Sequence, residues 1–491
     1  MTDVPQTQQP VEAPRIGVDE WVAQHDLRRE EGWLGSLRRF GDRLPWWTFL
    51  LAATAAGVLV GAVVTDQYVL QIGFDTLVYV LLALGLNVVV GWAGLLDLGY
   101  VVFLGVGAYG YSWLASAHFH EHWQAEGIVP AVVVGTGIVG LIIGLTSWRL
   151  LGDYLAIVTL FMLQMFITFA NNGDSLHLPL INHTVNLTNG ANGIHPLDSF
   201  NLFGWKAVSV RDYYFVALGA AVLLLGALYL VNDSRTGRAW RALREDPLAA
   251  NLLSIPVNRL KLLAFVFGAA VGGLTGTIFA AAENAVFPPD FNLQKLILIY
   301  AMVILGGAGS LGGVVIGAII VNVSDRLLTT PEHARYIFYG GIILALLAAS
   351  SRRRWGWRWV SSVIAATIGF GFAVHAIASS VWPTGVNGDL PGTGPLSRGL
   401  AHWLLVPVDP YNVGRYGYAL MIALVVSLTF LRGYVRRFVV VPLLYLAACV
   451  WENVLVADPS TTRLIILGAL LVALMNLRPA GLLGTARVEI V

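Results

Sequence analysis

Cysteine and charged residues are the two classes of side chain in which this sequence is poorest. Its 491 residues include one cysteine, Cys449, so a disulfide framework and a cysteine-rich metal site are both excluded. Only 12% of the residues are charged, whereas soluble globular domains have about a quarter. The formal net charge is +1, which gives no electrostatic basis for binding nucleic acid.

A nucleotide-binding motif is also missing. The sequence contains no G-x-x-x-x-G-K-[ST] phosphate loop, so any ATP hydrolysis must belong to another chain. The histidines at positions 177, 183 and 195 lack the close helical spacing of a metal site. We therefore expect a protein that is not an enzyme, with no catalytic residues, no bound metal and no cofactor.

Apolar residues, by contrast, are abundant. They make up 57% of the chain, and its 53 glycines allow helices to pack closely. A membrane-spanning helix needs about 20 mostly apolar residues. The composition therefore predicts an all-α fold, a polytopic transmembrane helical bundle. The apolar runs are 45–64, 68–90, 101–117, 128–148, 154–170, 213–231, 259–283, 293–306, 313–328, 336–350, 358–382, 413–431, 438–456 and 463–477.

The basic segments determine the predicted orientation. Arginines before the first run place residues 1–44 in the cytoplasm, because positively charged flanks stay on the cytoplasmic side. Alternating from there gives about 14 spans with both termini cytoplasmic, and it places the polar segments 171–212 and 383–412 outside. Part of the N-terminal tail, residues 18–40, is expected to form an amphipathic helix on the membrane surface.

One charged segment lies between two long apolar runs, and we call residues 232–260 the polar loop. Its pattern predicts two short helices that separate at Asp246, a suitable N-cap, with Pro247 at the first helical position. These helices have apolar faces, while the arginines project elsewhere. Such a loop suits docking against another protein, and it equally suits a basic loop that only fixes membrane orientation.

Two glycine-rich segments break the apolar runs. Residues 87–109 contain five glycines with Asp97 among them, and residues 306–313 form a second cluster. The pattern G-x-A-G-x-L occurs at 91–96 and at 306–311, which hints at an internal duplication. Non-helical backbone at membrane depth must be buried in protein or line a water-filled cavity. Asp97 is therefore either a functional residue or the cap of a helix.

Six segments occur in an order that is specific when they are taken together. They are GLLDLGYVVFLGVGAYGY (94–111), GDYLAIVTL (152–160), LTNGANGI (187–194), SRTGRAWRALREDPLAANLLSIPVNRLKLLAFVFGAAVGGLTGT (234–277), AMVILGGAGSLGGVVIGA (301–318) and LRPAGLLG (477–484). They resemble the permease subunit of the high-affinity branched-chain amino acid ABC importers, the Liv-type permeases. The resemblance implies a location in the cell inner (plasma) membrane. The partners it implies are two ATP-binding subunits, a second homologous permease subunit, an extracytoplasmic substrate-binding protein and the lipid bilayer.

The resemblance gives the polar loop a role, as a coupling helix that rests in a groove of the ATPase. The residues it implies for ATPase coupling are Arg238, Arg241, Arg244, Glu245, Asp246, Ala249, Ala250 and Leu253. The possible pathway or vestibule residues are Asn87, Asp97, Asn171, Asn172, Asn189 and Asn192. An ordinary turn-forming role is the alternative for the asparagines of the outer segment. Two positions depart from the family pattern, since Ser254 and Asn189 stand where its members commonly have glycine.

The resemblance also divides the chain into regions. Residues 1–44 form the cytoplasmic tail, and 45–350 form the permease core with its coupling loop at 232–260. Residues 351–462 are an extra-helix insertion, and 463–491 form the last core helix and a cytoplasmic C-terminal tail. Arg335-Tyr-Ile-Phe-Tyr-Gly and Arg463-Leu-Ile-Ile-Leu-Gly share their character, which suggests a partly duplicated terminal helix. Glu452, near the outer surface, is expected to pair or to face water rather than bind substrate.

Three functions compete at this point. The first is an ATP-driven importer permease that translocates branched-chain or other small amino acids delivered by a binding protein. The second is a urea or short-amide ABC permease, which keeps the architecture and changes the cargo. The third is a secondary transporter or channel, which predicts ionisable residues at mid-membrane. Asp75, Glu283 and Asp325 lie towards the ends or breaks of predicted runs, which does not favour the third function.

Overall fold

The structure is a computed structural model that describes residues 46–146, 153–177, 184–329, 331–352, 357–390, 395–408, 410–430, 434–457, 468 and 481–483. Helices dominate these residues. In chain order they are α1 (Trp46–Val63), α2 (Gln67–Leu86), α3 (Val101–Leu114), α4 (Ala125–Thr146), α5 (Asp153–Asn172), α6 (Val210–Asp233), α7 (Arg235–Glu245), α8 (Pro247–Leu252), α9 (Val257–Glu283), α10 (Leu293–Gly306), α11 (Leu311–Thr329), α12 (Pro331–Arg352), α13 (Trp357–Val381), α14 (Pro395–Ala401), α15 (Pro410–Phe430) and α16 (Tyr434–Ala457).

Their lengths confirm the prediction of a polytopic helical bundle. Among the described residues, eight helices have the length and composition to cross a membrane, and four shorter apolar helices accompany them. Each predicted run from 45–64 to 438–456 coincides with a helix. The run 463–477 and the tail 1–44 lie outside the described residues, apart from Gly468. The total of about 14 spans and the side on which each terminus lies therefore stay predictions.

The breaks in the helices lie where the glycine clusters predict them, although the first is shorter than expected. A π-helix, Asn87–Trp92, continues directly from α2, and residues 93–100 then have no helix until α3 begins at Val101. The second break separates Gly306, the last residue of α10, from Leu311, the first of α11. Both breaks thus join two helices at their ends and do not form long loops.

Short antiparallel hairpins occupy the connections on the predicted outer side. The strands are β1 (Ala115–Ser116) with β2 (Glu121–His122), β3 (Leu176–His177) with β4 (Thr184–Val185), and β5 (Asn201–Leu202) with β6 (Trp205–Lys206). Isolated bridges join Ser116 to Leu197 and Ile194 to Val286. These backbone hydrogen bonds fasten the outer segment to the ends of α3 and α9, because exposed loop amides need partners.

The core contains the close contact between α3 and α9 that the glycine content predicts. An added Cβ at Gly107 would lie 2.4 Å from the carbonyl oxygen of Gly273. No side chain can be placed at that separation, so glycine is required where the two backbones touch. Small residues allow such approach in membrane bundles, where packing rather than the hydrophobic effect drives helices together.

A buried ion pair joins α12 to α16, near the far end of the predicted insertion. Arg335 Nε donates to Glu452 Oε2 at 2.8 Å, and the Tyr339 hydroxyl donates to Glu452 Oε1 at 3.3 Å. Beside them, the rings of Phe338 and Trp451 stack with centroids 4.4 Å apart. The expectation that Glu452 pairs is confirmed. The last helix described in the insertion is thus attached to the helix that ends the predicted core.

This pair yields a stability prediction. Replacing Glu452 with leucine should lower the free energy of unfolding by about 3–5 kcal/mol, because it leaves the Arg335 charge buried without its carboxylate. The double replacement Arg335→Leu with Glu452→Leu should recover most of that loss, since two apolar side chains need no partner. Thermal unfolding of the purified protein in detergent measures both. A single variant as stable as the original protein would show that the pair is not buried.

Candidate functional site

The polar loop folds as two capped helices, α7 and α8. The Ser234 hydroxyl accepts a hydrogen bond from the Gly237 amide at 3.2 Å at the start of α7. The Asp246 carboxylate accepts from the amides of Leu248 at 2.8 Å and Ala249 at 3.1 Å at the start of α8. With Pro247 at the first helical position, the predicted N-cap is confirmed. Caps of this kind hold short helices that are otherwise marginal in water.

Helix α8 presents apolar side chains to solvent. Leu248, Leu252 and Leu253 are 78%, 86% and 76% exposed. Ala249 is also exposed, whereas Ala250 is 2% exposed and packs into the protein. Grouped exposed leucines on a polar loop are typical of a surface that another protein covers. The residues predicted for ATPase coupling included Leu253 and Ala250 but not Leu248 or Leu252, and of these only Ala250 is buried within this chain.

Two of the predicted arginines bind the end of the preceding helix. Arg238 Nη1 donates to the Asp233 carbonyl at 2.7 Å. Arg241 donates from Nη1 to Asn232 Oδ1 at 3.0 Å and from Nη2 to the Asn232 carbonyl at 3.2 Å. The two main-chain carbonyls belong to the last turn of α6, where carbonyls lack helical partners and carry the negative end of the helix dipole. The two side chains therefore hold α7 at a set angle to α6, while Glu245 and Asp246 are exposed.

Arg244 points the other way, towards the breaks. Its Nη1 donates to the carbonyls of Gly91 and, at 3.2 Å, of Ala308. One turn earlier on α7, the ring of Trp240 packs against Trp92 with centroids 6.1 Å apart. Helix α7 is thus in contact with both glycine breaks through two side chains.

The two breaks also bind one another, and we call residues 87–100 and 307–310 together the break junction. Asn87 Oδ1 accepts from the Gly309 amide at 2.7 Å. Trp92 Nε1 donates to the Gly309 carbonyl at 3.1 Å. The peptide groups around Gly309 are therefore held from both sides by the first break. From the C-terminal segment, the Leu482 amide donates to the Leu305 carbonyl at 2.8 Å, just before the second break.

Asn87 and Asp97, two predicted pathway residues, are enclosed by this arrangement. Both side chains are buried. Asp97 Oδ1 accepts from the Gly99 amide at 2.8 Å, and its carbonyl accepts from the Tyr300 hydroxyl at 2.6 Å. The Asp97 side chain thus holds the turn before α3, but it does not cap that helix, whose N-cap is Tyr100 without a side-chain hydrogen bond. Neither side chain faces open solvent, and a role in the pathway stays a prediction for both.

The outer asparagines fall into two groups. Asn171 and Asn172 are exposed at the end of α5, and each donates to a carbonyl one turn earlier at 2.8 Å. Asn189, in contrast, holds its loop, because its Nδ2 donates to the Gly193 carbonyl at 2.7 Å. Asn192 is exposed in the 3-10 turn that follows it. The exposed amides of Asn171, Asn172 and Asn192 could contact a solute, whereas that of Asn189 supports the backbone.

A groove along α5 includes the predicted Asn172 and adds five residues that the sequence analysis missed. It has a volume of about 470 Å³ and is lined by Phe161, Gln164, Met165, Thr168, Phe169 and Asn172. Gln164, Thr168 and Asn172 recur every four residues in an otherwise apolar helix, so they form one polar stripe. All three are exposed on the surface of this chain. The period of four was visible in the sequence and is the signal that could have found them.

The two departures from glycine occur at left-handed backbone positions. Asn189 has φ +58° and Ser254 has φ +61°. Glycine adopts this conformation without steric cost, asparagine tolerates it, and serine does so less readily. Glycine would suit both positions for this conformational reason, and this chain adopts the left-handed backbone there with other residues.

Comparison with known proteins agrees with this geometry. A family model described as the permease component of the branched-chain amino acid transport system matches residues 68–347. The LivM permease of Escherichia coli K12 is 34% identical over 295 residues, covering 55% of this chain and 66% of that protein. The LivH permease of Salmonella typhimurium is 25% identical over 284 residues, covering 55% of this chain and 88% of that protein. No solved structure matches the chain.

The matched region contains the polar loop and both parts of the break junction, within a bundle of membrane helices. Such a bundle defines a multi-pass inner-membrane transport protein. The chain belongs to the branched-chain amino acid ABC permease family. It spans 66% of the length of the LivM relative, just under two thirds. The family match ends within α12, so residues 351–462 lie beyond it.

The left-handed serine gives a prediction that does not depend on transport. Replacing Ser254 with glycine should raise the free energy of unfolding by about 1 kcal/mol, because it removes the cost of holding a side chain at positive φ. Ser254→Val should lower it by at least as much, since a β-branched residue is strained further there. Denaturation of the purified original protein and of the two variants measures the order of their free energies of unfolding. The reverse order would show that Ser254 does not have this backbone conformation.

Proposed function

We propose that the protein is the membrane-spanning permease subunit of an ATP-driven importer of branched-chain or other small amino acids. The observation that carries the proposal is the capped helix α8 with Leu248, Leu252 and Leu253 exposed to solvent. The family membership supports the cargo class, because the matched relatives are named as branched-chain amino acid permeases. ATP hydrolysis belongs to partner subunits in this proposal, since the chain has no phosphate loop.

The coupling step requires a stiff connection between the ATPase and the membrane helices. Helix α8 is capped at its start by Asp246, and α7 is held to α6 by Arg238 and Arg241. An ATPase groove that takes up the three leucines would bury apolar surface worth about 1.5–3 kcal/mol for each fully covered side chain. The exposed Glu245 and Asp246 would lie at the rim, where charge favours orientation more than affinity.

The polar stripe on α5 is the part of the surface that best suits the solute pathway. An exposed glutamine within a span of mostly apolar residues is unfavourable against lipid, which offers its amide no partner. We therefore place the α5 face against a second homologous permease subunit, with the pathway between them. Gln164 and Thr168 would contact the charged ends of an amino acid, and Phe161 and Met165 its aliphatic side chain. Asn171 and Asn172 would lie at the outer mouth, towards the binding protein.

An ion-driven mechanism has less support from the described residues. Asp75 and Arg326 pair with one another; Arg326 lies near the predicted outer end of α11, whereas Asp75 lies near the middle of α2. A structural ion pair of this kind differs from a mid-membrane relay of ionisable groups. A urea or short-amide permease keeps the same architecture, and a transport assay with leucine and urea as competing solutes separates it from the amino acid importer.

The outward leucines provide the direct test of the proposed function. Replacing Leu252 with aspartate should weaken binding of the ATP-binding subunit by more than about tenfold, because it places a charge in an apolar contact. Leucine uptake into proteoliposomes should fall in parallel. The fold should be unaffected, since Leu252 is 86% exposed. Binding of the purified subunit to the permease in nanodiscs, followed by the uptake assay, measures both effects.

Asn258→Asp is the matched control, because it adds the same charge at another exposed position of the polar loop. It should leave subunit binding within about twofold, as expected for a rim or non-contact residue. Unchanged binding of the Leu252→Asp variant would contradict the proposed docking surface.

The insertion is proposed to be peripheral to transport. Deleting residues 335–462 would join Ala334 to Arg463, so the similar segment Arg463–Gly468 takes the place of Arg335–Gly340. This deletion removes both partners of the buried Arg335–Glu452 pair and keeps the predicted alternation of sides. Leucine uptake should persist, at a tenth or more of the normal rate by order of magnitude. Deleting only 351–462 is the contrasting control, because it reverses the predicted direction of the last span. Complete loss of uptake in the longer deletion, with normal subunit binding, would place the added helices in the pathway.

A further inference from the structure

We propose that Arg244 is a positioning residue that transmits movement of the coupling helices to the break junction. The inference rests on the proposed function, because it assumes that α8 is moved by an ATPase. It goes further by naming which contact carries that movement into the membrane bundle. In this arrangement Arg244 acts inside the permease, in addition to any contact at the ATPase rim.

The geometry around Arg244 is that of a fitted contact. The side chain is half-buried, and its Nη1 meets the Gly91 and Ala308 carbonyls, which come from opposite parts of the break junction. A Cβ added to Gly309 would lie 2.7 Å from Arg244 Nη1, and one added to Gly94 would lie 3.2 Å from the Arg244 Cα. Both glycines also have positive φ, at +95° and +70°. The break junction thus has room for the Arg244 side chain because Gly309 and Gly94 have no side chains of their own.

Electrostatics favours a cation at this place. Gly91 lies in the last turn of the helical segment that ends at Trp92, and Ala308 follows the end of α10. The ends of these two helices direct unsatisfied carbonyls and the negative ends of their dipoles towards one point. The Arg244 Nη1 between them donates to both carbonyls, and its N–H groups have fixed directions because they lie in the plane of the guanidinium. Lysine would keep the charge and lose that fixed geometry.

Three of the four arginines of α7, Arg238, Arg241 and Arg244, have separate contacts, which makes the proposal testable. Arg238 and Arg241 bind the end of α6, whereas Arg244 binds both halves of the junction. A rotation of α7 therefore changes the position of the junction through Arg244 and through the Trp240–Trp92 contact. The helices α2 and α10 end at the junction. A change in the position of the junction would therefore change the distance between their predicted cytoplasmic ends.

The experiment uses the complete transporter, with the permease, its homologous partner and the co-expressed ATP-binding subunits in nanodiscs and proteoliposomes. Arg244→Lys should leave subunit binding and ATP hydrolysis near normal while leucine transported per ATP hydrolysed falls by about fivefold or more, the lower end of typical coupling factors. Arg235→Lys, at the exposed first position of α7 and outside the residues implied for ATPase coupling, should leave that ratio unchanged. If Arg244 only stabilised the fold, Arg244→Lys would lower subunit binding and ATP hydrolysis together. It would not lower the leucine transported per ATP hydrolysed on its own.

Hydrogen–deuterium exchange gives a second readout that needs no variant. Adding a non-hydrolysable ATP analogue to the unaltered transporter should change exchange in 247–253 and in 307–311. Arg244→Lys should keep the first change and lose the second. A normal transport-to-hydrolysis ratio in Arg244→Lys, or no nucleotide-dependent change at 307–311 in the unaltered protein, would overturn the proposal. Neither result depends on the Leu252→Asp test, in which lost binding supports the docking surface whatever the role of Arg244.

Discussion

Backbone groups at a helix break inside a membrane must find partners within the protein, since lipid offers none. Here the two breaks satisfy each other. The amide and carbonyl of Gly309 are taken by Asn87 and Trp92 of the other break. The carbonyls that remain at the ends of the two helical segments are taken by Arg244, a residue of a loop outside the spans. The rest of the functional geometry depends on this exchange of hydrogen bonds.

The same constraint explains why the polar loop lies where it does. Arg244 can reach both breaks only if α7 lies across them, and the Trp240–Trp92 contact keeps it there. With that face of α7 turned inward, the following helix α8 turns its leucines outward. One set of contacts thus fixes both the inner attachment of the loop and its outer surface. That is the geometry the proposed function requires of a part that connects an ATP-binding subunit to the membrane helices.

Local chemistry was readable from the sequence, and contacts between distant segments were not. The Asp246 cap and Pro247 were predicted correctly, because capping depends on neighbours three residues away. The glycine breaks were also located from the sequence, because a cluster of glycines is a local pattern. Arg244 was predicted only as an ATPase-coupling residue, and its contact with the breaks could not be predicted because its partners Gly91 and Ala308 lie 153 and 64 residues away. The burial of Ala250 depends on how α8 packs on the rest of the chain, which no local pattern specifies. Gln164 and Thr168 could have been found from their period of four.

The account depends most on the polar loop touching an ATP-hydrolysing subunit inside the cell. The one cysteine, Cys449, is buried, so a Cys449→Ser background allows a single reactive thiol at Leu252→Cys. The most direct measurement is thiol-specific cross-linking of that variant in intact membranes that contain the complete transporter. The account predicts a covalent adduct between the permease and an ATP-binding subunit, with a yield that changes when ATP is added. Labelling of the same thiol by an impermeant reagent added outside sealed cells, with no such adduct, would contradict it.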